Sequence, residues 1–146
     1  MSRIIRYRDM YSGKGITFYM TGALNSNKGY AVTLETKTHA QNANGVYVKL
    51  AGDNDPVFGR LDAVLDQVRS ATPSADVVTV TVSTEGLLEL PTVSSSTSAS
   101  FLTGTYIVGA GNGEVKELAA SAATDGYHAQ VIQYDNTNQK VIAYFR

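Results

Sequence analysis

Apolar and polar positions alternate along this chain in short runs separated by Gly, Asn, Asp and Ser clusters. Runs rich in Val, Ile, Thr, Tyr and Phe occur at 16–20, 30–34, 46–50, 77–82, 87–90, 105–108, 129–134 and 140–145. Branched and aromatic side chains suit a pleated, half-buried surface, and the turn clusters set strand ends. In "VVTVTV" the period of two puts Val78, Val80 and Val82 on one face and Thr79 and Thr81 on the other. In "VYVKL" it sets Val46, Val48 and Leu50 against Tyr47 and Lys49. "YDNTNQKVIAYF" predicts a C-terminal hairpin that turns through Asp135 to Asn138.

One segment fits two periods. In "DPVFGRLDAVLDQVRS" the residues Val57, Leu61, Val64, Leu65 and Val68 fall at helical spacing, and Asp55-Pro56 would serve as N-cap and first-turn proline. Gly59 costs a helix about 1 kcal/mol relative to alanine. A second stretch, "NGEVKELAASAATDGYHAQVI" (112–132), repeats the plan of "NGVYVKLAGDNDPVFGRL" (44–61), and there the corresponding "GYHAQVIQYD" reads as a strand. A strand over 57–68 is therefore preferred to a helix.

The fold expected is mostly β, a small barrel or sandwich with an extended N-terminal arm and little helix. Residues 1–27 are assigned to the arm and first strands. Residues 28–146 are assigned to one β domain of two related strand-turn-strand units, about 28–90 and 101–146. The Ser/Thr-rich stretch "PTVSSSTSAS" (91–100) joins them as a surface loop.

Composition narrows the class. The chain has 146 residues, enough for one substantial core, with 43% hydrophobic and 17% charged residues, as in a folded globular protein. A net charge of −1 argues against a surface built to grip DNA or an anionic membrane. The absence of cysteine removes disulfides, thiol nucleophiles and cysteine metal sites, and suits synthesis in a reducing cytoplasm. "MSRIIRYRDMYSGKG" lacks the apolar core of a signal peptide, and no run approaches the length of a membrane-spanning helix.

The glycine-rich motifs read as turns. "VGAGNGEVKEL" follows a strand and carries Gly109, Gly111 and Gly113, but a dinucleotide loop needs G-x-G-x-x-G opening a helix. "SGKG" (12–15) lacks both the upstream glycine and the Ser or Thr of a phosphate loop. His39 and His128 belong to no metal or catalytic spacing, and no Ser lies in a G-x-S-x-G elbow. Asp53 with Asp55, and Asp62 with Asp66, read as solvated loop charges. No catalytic constellation is legible, no cofactor or metal is expected, and the chain is read as a non-enzyme.

Charge is uneven only at the start, where Arg3, Arg6, Arg8 and Lys14 face Asp9 alone and interleave with Ile4, Ile5, Tyr7 and Tyr11. Such a segment can lie as an added strand on a partner's sheet, with Arg and Tyr as anchors, or form the first strand of the domain's own sheet.

The order of Asn-Gly with Val and Leu-Ala, then "PVFGRL", "DVVTVTVSTEGLLELP", "GTYIV" and "GNGEVKEL", resembles the small phage capsid decoration (cement) proteins of the lambda-type β-barrel class, over about residues 28–146. The polar "VSSSTSAS" insert departs from the compact members. The resemblance implies a head-stabilising virion protein without an active site, made in the host cytoplasm. It would sit on the outer surface of the expanded head and bridge neighbouring major capsid proteins. Self-association as a homotrimer, with a dimer as the alternative, is implied too, with no membrane and no specific nucleic acid as partner.

By position, the capsid-binding arm would comprise Arg3, Ile4, Ile5, Arg6, Tyr7, Arg8 and Tyr11, and the two units would pack to close one barrel. Two other readings stay open. One is a head fibre base or carbohydrate-binding β-sandwich that uses Tyr106, Tyr127 and Tyr134 as exposed stacking platforms. The other is a small enzyme built around His128, Asp125 and nearby serines.

Overall fold

A computed structural model describes residues 18–23, 25–37, 45–65, 77–94, 100–119 and 127–146. Among these residues there are ten strands: β1 (Phe18–Thr21), β2 (Ala31–Leu34), β3 (Val46–Leu50), β4 (Gly59–Val64), β5 (Val77–Ser83), β6 (Gly86–Pro91), β7 (Ile107–Gly111), β8 (Glu114–Glu117), β9 (Ala129–Asp135) and β10 (Lys140–Phe145). A 3-10 turn at Asn25–Asn27 is the one named helical element among the described residues. The mostly β expectation holds.

Strands β1 to β5 close a barrel in the order β1-β3-β2-β4-β5. Its interior holds Phe18, Met20, Val32, Val48, Leu61, Val64, Val78, Val80 and Val82. The Val/Thr alternation of β5 is borne out, with the three valines buried and Thr79 and Thr81 more exposed. In the remainder, β6, β10 and β9 form one sheet and β7 and β8 a hairpin. Two single-residue bridges, Thr92 with Val115 and Tyr106 with Gln130, link sheet and hairpin into a second ring.

The two rings share one topology. In the first, β1 and β3 are parallel, and the pairs β3/β2, β2/β4, β4/β5 and β5/β1 are antiparallel. In the second, the bridge at the end of β6 joins β8 in parallel, and β8/β7, β7/β9, β9/β10 and β10/β6 run antiparallel. The correspondence reaches single bonds. Gly29 donates to the Leu61 carbonyl at 2.7 Å, and the Leu61 amide donates to Tyr30 at 2.9 Å. Gly104 donates to the Val131 carbonyl at 2.8 Å, and the Val131 amide to Thr105 at 2.8 Å. Both glycines are left-handed, with φ of 89° and 88°, which a side chain would oppose.

This arrangement corrects two expectations. The related units do not combine to close one barrel: β1 to β5 close a barrel by themselves, and β6 to β10 pair with one another, with Asp53 and Ala110 as the one bridge between the halves among the described residues. The change from one ring to the next falls between β5 and β6, so β6 belongs to the second unit and the first includes β1. The repeated "NG-V-K" signal does mark equivalent strands. Val48 and Lys49 oppose Leu34 and Thr33, as Val115 and Lys116 oppose Gly109 and Val108.

Within the ambiguous 57–68 segment, Gly59–Val64 form strand β4, residues 57, 58 and 65 lie outside any strand, and residues 66–68 lie outside the described set. Its helical spacing has a local cause. The ladder to β5 slips between Leu61 and Ala63, leaving Asp62 as a bulge, so Leu61 and Val64 both reach the barrel interior although three residues apart. A side chain at Gly59 would meet the Ser83 carbonyl at 2.3 Å, which explains a glycine inside this strand.

The rings are fastened by backbone and by shared core. Ala31, Ala51 and Val57 project from the first barrel into the core of the second, among Leu88, Leu90, Phe101, Ile107, Val115, Val131 and Val141. The tip of the β7–β8 hairpin docks there too. Ala31 donates to Gly113 at 2.8 Å, Gly113 to Ala51 at 3.0 Å, Asn54 to Gly109 at 2.9 Å and Gly109 to Asp55 at 2.8 Å.

Candidate interaction surface

The glycine-rich "VGAGNG" loop is a hairpin. Asn112 and Gly113 form its two-residue turn with φ of 52° and 81°, the left-handed pair that primed turns require. Gly109 and Gly113 have a further role at the joint. A Cβ at Gly109 would lie 2.1 Å from the Gly52 carbonyl, and one at Gly113 would lie 2.7 Å from the Tyr30 Cβ. These glycines let two barrels touch through their backbones. Around them Lys116 reaches Asp53 at 2.6 Å, Lys49 approaches Asp55 at 3.6 Å, and the Gly52 amide donates to Asp55 at 2.9 Å. Asp53 and Asp55 thus face lysines across the joint and within it.

His128 is exposed just before β9, and His39 and Asp125 lie outside the described residues. Among the described residues no group of three or more His, Cys, Asp or Glu is placed to hold a metal ion. No described helix is long and apolar enough to cross a membrane. Among the described residues one carboxylate is perturbed. Asp135 is held below the usual range by the Asn138 side chain and amide and by the Thr137 amide, all of which donate to it in the β9–β10 turn. That is turn chemistry, in an exposed loop.

The tyrosines offered as stacking platforms are Tyr106, Tyr127 and Tyr134. Tyr134 packs on Phe101 with ring centroids 4.8 Å apart and joins the second core, while Tyr106 and Tyr127 are half-buried. The arm residues Arg3, Ile4, Ile5, Arg6, Tyr7, Arg8 and Tyr11 lie outside the described residues, as does "SGKG" at 12–15.

The surface that stands out is the outer face of the β6-β10-β9 sheet. Leu88, Leu90, Val141, Ala143, Phe145 and Val131 point inward, so the alternate positions face out. There Leu87 is 64% exposed, Ile132 45% and Tyr144 43%, with Ile142 half-buried between them. Leu87 is directly opposite Tyr144. Ile132 is the bulge residue of β9, skipped where the ladder slips beside Ile142 and Ala143.

The first barrel supplies an internal contrast. By register, Gln130, Ile132, Ile142 and Tyr144 correspond to Arg60, Asp62, Thr81 and Ser83. On that face Arg60 pairs with Asp62 at 2.9 Å, and the Ser83 hydroxyl donates to the other Asp62 oxygen. One architecture therefore carries the bonded Arg60, Asp62 and Ser83 on the first barrel, and on the second ring the apolar Ile132, Ile142 and Tyr144 beside Gln130, which accepts from Arg146 at 2.8 Å. The strand pattern held a signal for this. "KVIAYF" and "GLLEL" are apolar at outward as well as inward positions, which a one-sided sheet does not need.

No family model, no curated protein and no solved structure matches the chain.

Proposed function

We propose that the chain is a non-catalytic structural protein of a phage head, binding the outside of the expanded shell and bridging neighbouring major capsid proteins. The observation that carries the association role is the open Leu87–Ile132–Ile142–Tyr144 face on a ring whose twin bears Arg60, Asp62, Thr81 and Ser83 in the same places. Apolar faces of this kind on small proteins mark protein contacts. The order of strand and turn motifs, which resembles decoration proteins, supplies the phage head as the setting.

The physical logic needs surface and repetition. Copies set around a lattice gain from many linked weak contacts, and a protein that binds only the expanded shell stabilises that state by mass action. Two barrels joined through backbone bonds make a stiff body for such bridging. In this reading the basic arm, Arg3 to Tyr11, reaches the capsid.

Co-sedimentation with expanded shells lacking decoration tests the proposal. Saturable binding at a lattice-like stoichiometry, with shells that then resist heat better, is the expected result. Shells that neither bind the protein nor gain heat resistance would refute it.

A further inference from the structure

Four outward residues of the second ring, Leu87, Ile132, Ile142 and Tyr144, make an apolar strip across three strands, with Glu89 and Gln133 beside Ile142 and Gln130 beside Tyr144. Tyr144 and Ile142 lie two apart on the central strand β10, Leu87 sits opposite Tyr144 on β6, and Ile132 bulges from β9 on the other side. Glu89, exposed on β6, and Lys140, half-buried on β10, border the strip with opposite charges on neighbouring strands. The corresponding strip of the first barrel is closed by its own Arg60–Asp62–Ser83 bonds.

We propose that this strip is covered by the same strip of a second copy, so that two chains stack sheet on sheet about a two-fold axis. The inference rests on the association role argued above and names the partner that fills the face. Three features point to a like partner. The chain carries a net charge of only −1, so two copies approach without long-range repulsion. The border holds one acid and one base, and a two-fold axis can set Glu89 of each copy against Lys140 of the other, giving reciprocal attraction. Only one of the two rings presents this strip, and two-fold pairing of a strip with its own copy closes on itself, so the assembly stops at two instead of growing into a filament.

Face-to-face stacking at about 10 Å is the ordinary way for two sheets to bury such side chains. The bulge at Ile132 contributes by setting that side chain beyond the regular pleat. No contact of the first barrel is disturbed, because its own strip needs no cover.

Sedimentation equilibrium of the full chain tests this, with Leu87→Lys, Tyr144→Lys, Glu89→Lys, Lys140→Glu and the Glu89→Lys/Lys140→Glu double variant. Circular dichroism of each confirms the fold. The expected result is a reversible dimer, weakened at least about 10-fold by either apolar-to-lysine change, about 1.4 kcal/mol. Each single charge reversal should weaken it, and the double reversal should restore it.

A wild-type monomer, a trimer, or a dimer indifferent to all five variants would overturn the inference. Shell co-sedimentation of the same variants separates its failure from that of the wider reading. A monomer whose shell binding is lost in Leu87→Lys would assign the strip to the capsid protein and leave the association role standing. A folded Leu87→Lys variant that keeps both its wild-type mass and its shell binding would overturn the association role of this face together with the inference.

Discussion

Asp62 and Ile132 occupy the same place in the first barrel and the second ring, each the extra residue at which a strand slips by one against its neighbour. Asp62 is tied down by Arg60 and Ser83, whereas Ile132 is 45% exposed. The backbone is repeated and the surface is not, which separates the residues that build the fold from those available for contact.

The joint between the rings should be sensitive to single methyl groups. Gly109→Ala would drive a Cβ to 2.1 Å from the Gly52 carbonyl, and neither backbone can yield without breaking the Gly109–Asp55 and Asn54–Gly109 bonds. Urea unfolding should show a loss of about 1–3 kcal/mol or more, the scale of overpacking. Gly111→Ala, with nothing within 4 Å but a φ of 108°, should lose stability through backbone strain alone, by about 1–3 kcal/mol.

The ion pair at the same joint should matter far less. Lys116 and Asp53 approach to 2.6 Å but are 37% and 64% exposed, so solvent and salt screen them. Asp53→Asn should cost no more than about 1 kcal/mol in low salt and less in 0.5 M salt, read from paired denaturation curves. A loss like that of Gly109→Ala would show that charge, and not close backbone approach, holds the rings together.

Thr92 offers a gain. Among the described residues its buried hydroxyl has no hydrogen-bond partner, and the register of the two parallel pairings places Met20 at the equivalent point of the first barrel. An unsatisfied buried polar group costs about 1–3 kcal/mol, and valine has nearly the same shape. Thr92→Val should therefore raise the melting temperature. A drop would mean that the hydroxyl is bonded.

Much of the strand content was legible because it depends on neighbours in sequence. The buried Val78, Val80 and Val82 and the Asp135 turn follow from local alternation and turn chemistry. The pairing was not legible, since a parallel β1/β3 contact and the β2/β4 contact join strands across intervening loops. The duplication was visible in "NG-V-K" yet read as two halves of one barrel. Equivalent loops differ in length, and no fixed period survives to show that each half is already complete. The apolar strip was hidden for a further reason. Leu87, Ile142 and Tyr144 look like core until their inward neighbours are known to fill it.

Acid should release the C-terminal turn. Asp135 binds its proton less readily when folded, because the Asn138 side chain, the Asn138 amide and the Thr137 amide all favour the carboxylate. A group with a lowered folded pKa contributes stability above its unfolded value, near 4, and loses it as pH falls through the lower folded value. A carboxyl NMR titration should place Asp135 below the ordinary aspartate range. Asp135→Asn should remove the corresponding acid-side loss in turn stability.

The two rings should nevertheless unfold together. Ala31, Ala51 and Val57 belong to the first barrel by chain position and to the second core by packing, so neither ring keeps its core if the other opens. Leu61 and Val131 sit at equivalent, fully buried points, one in each core. Leu61→Ala should cost about 2–5 kcal/mol, and Val131→Ala should cost less because fewer methylenes are removed. Each variant should shift one common transition, seen alike by far-ultraviolet circular dichroism and by amide exchange in both rings. Two transitions, with only the mutated ring moving, would show that the hairpin joint and the three shared side chains are too weak to couple them.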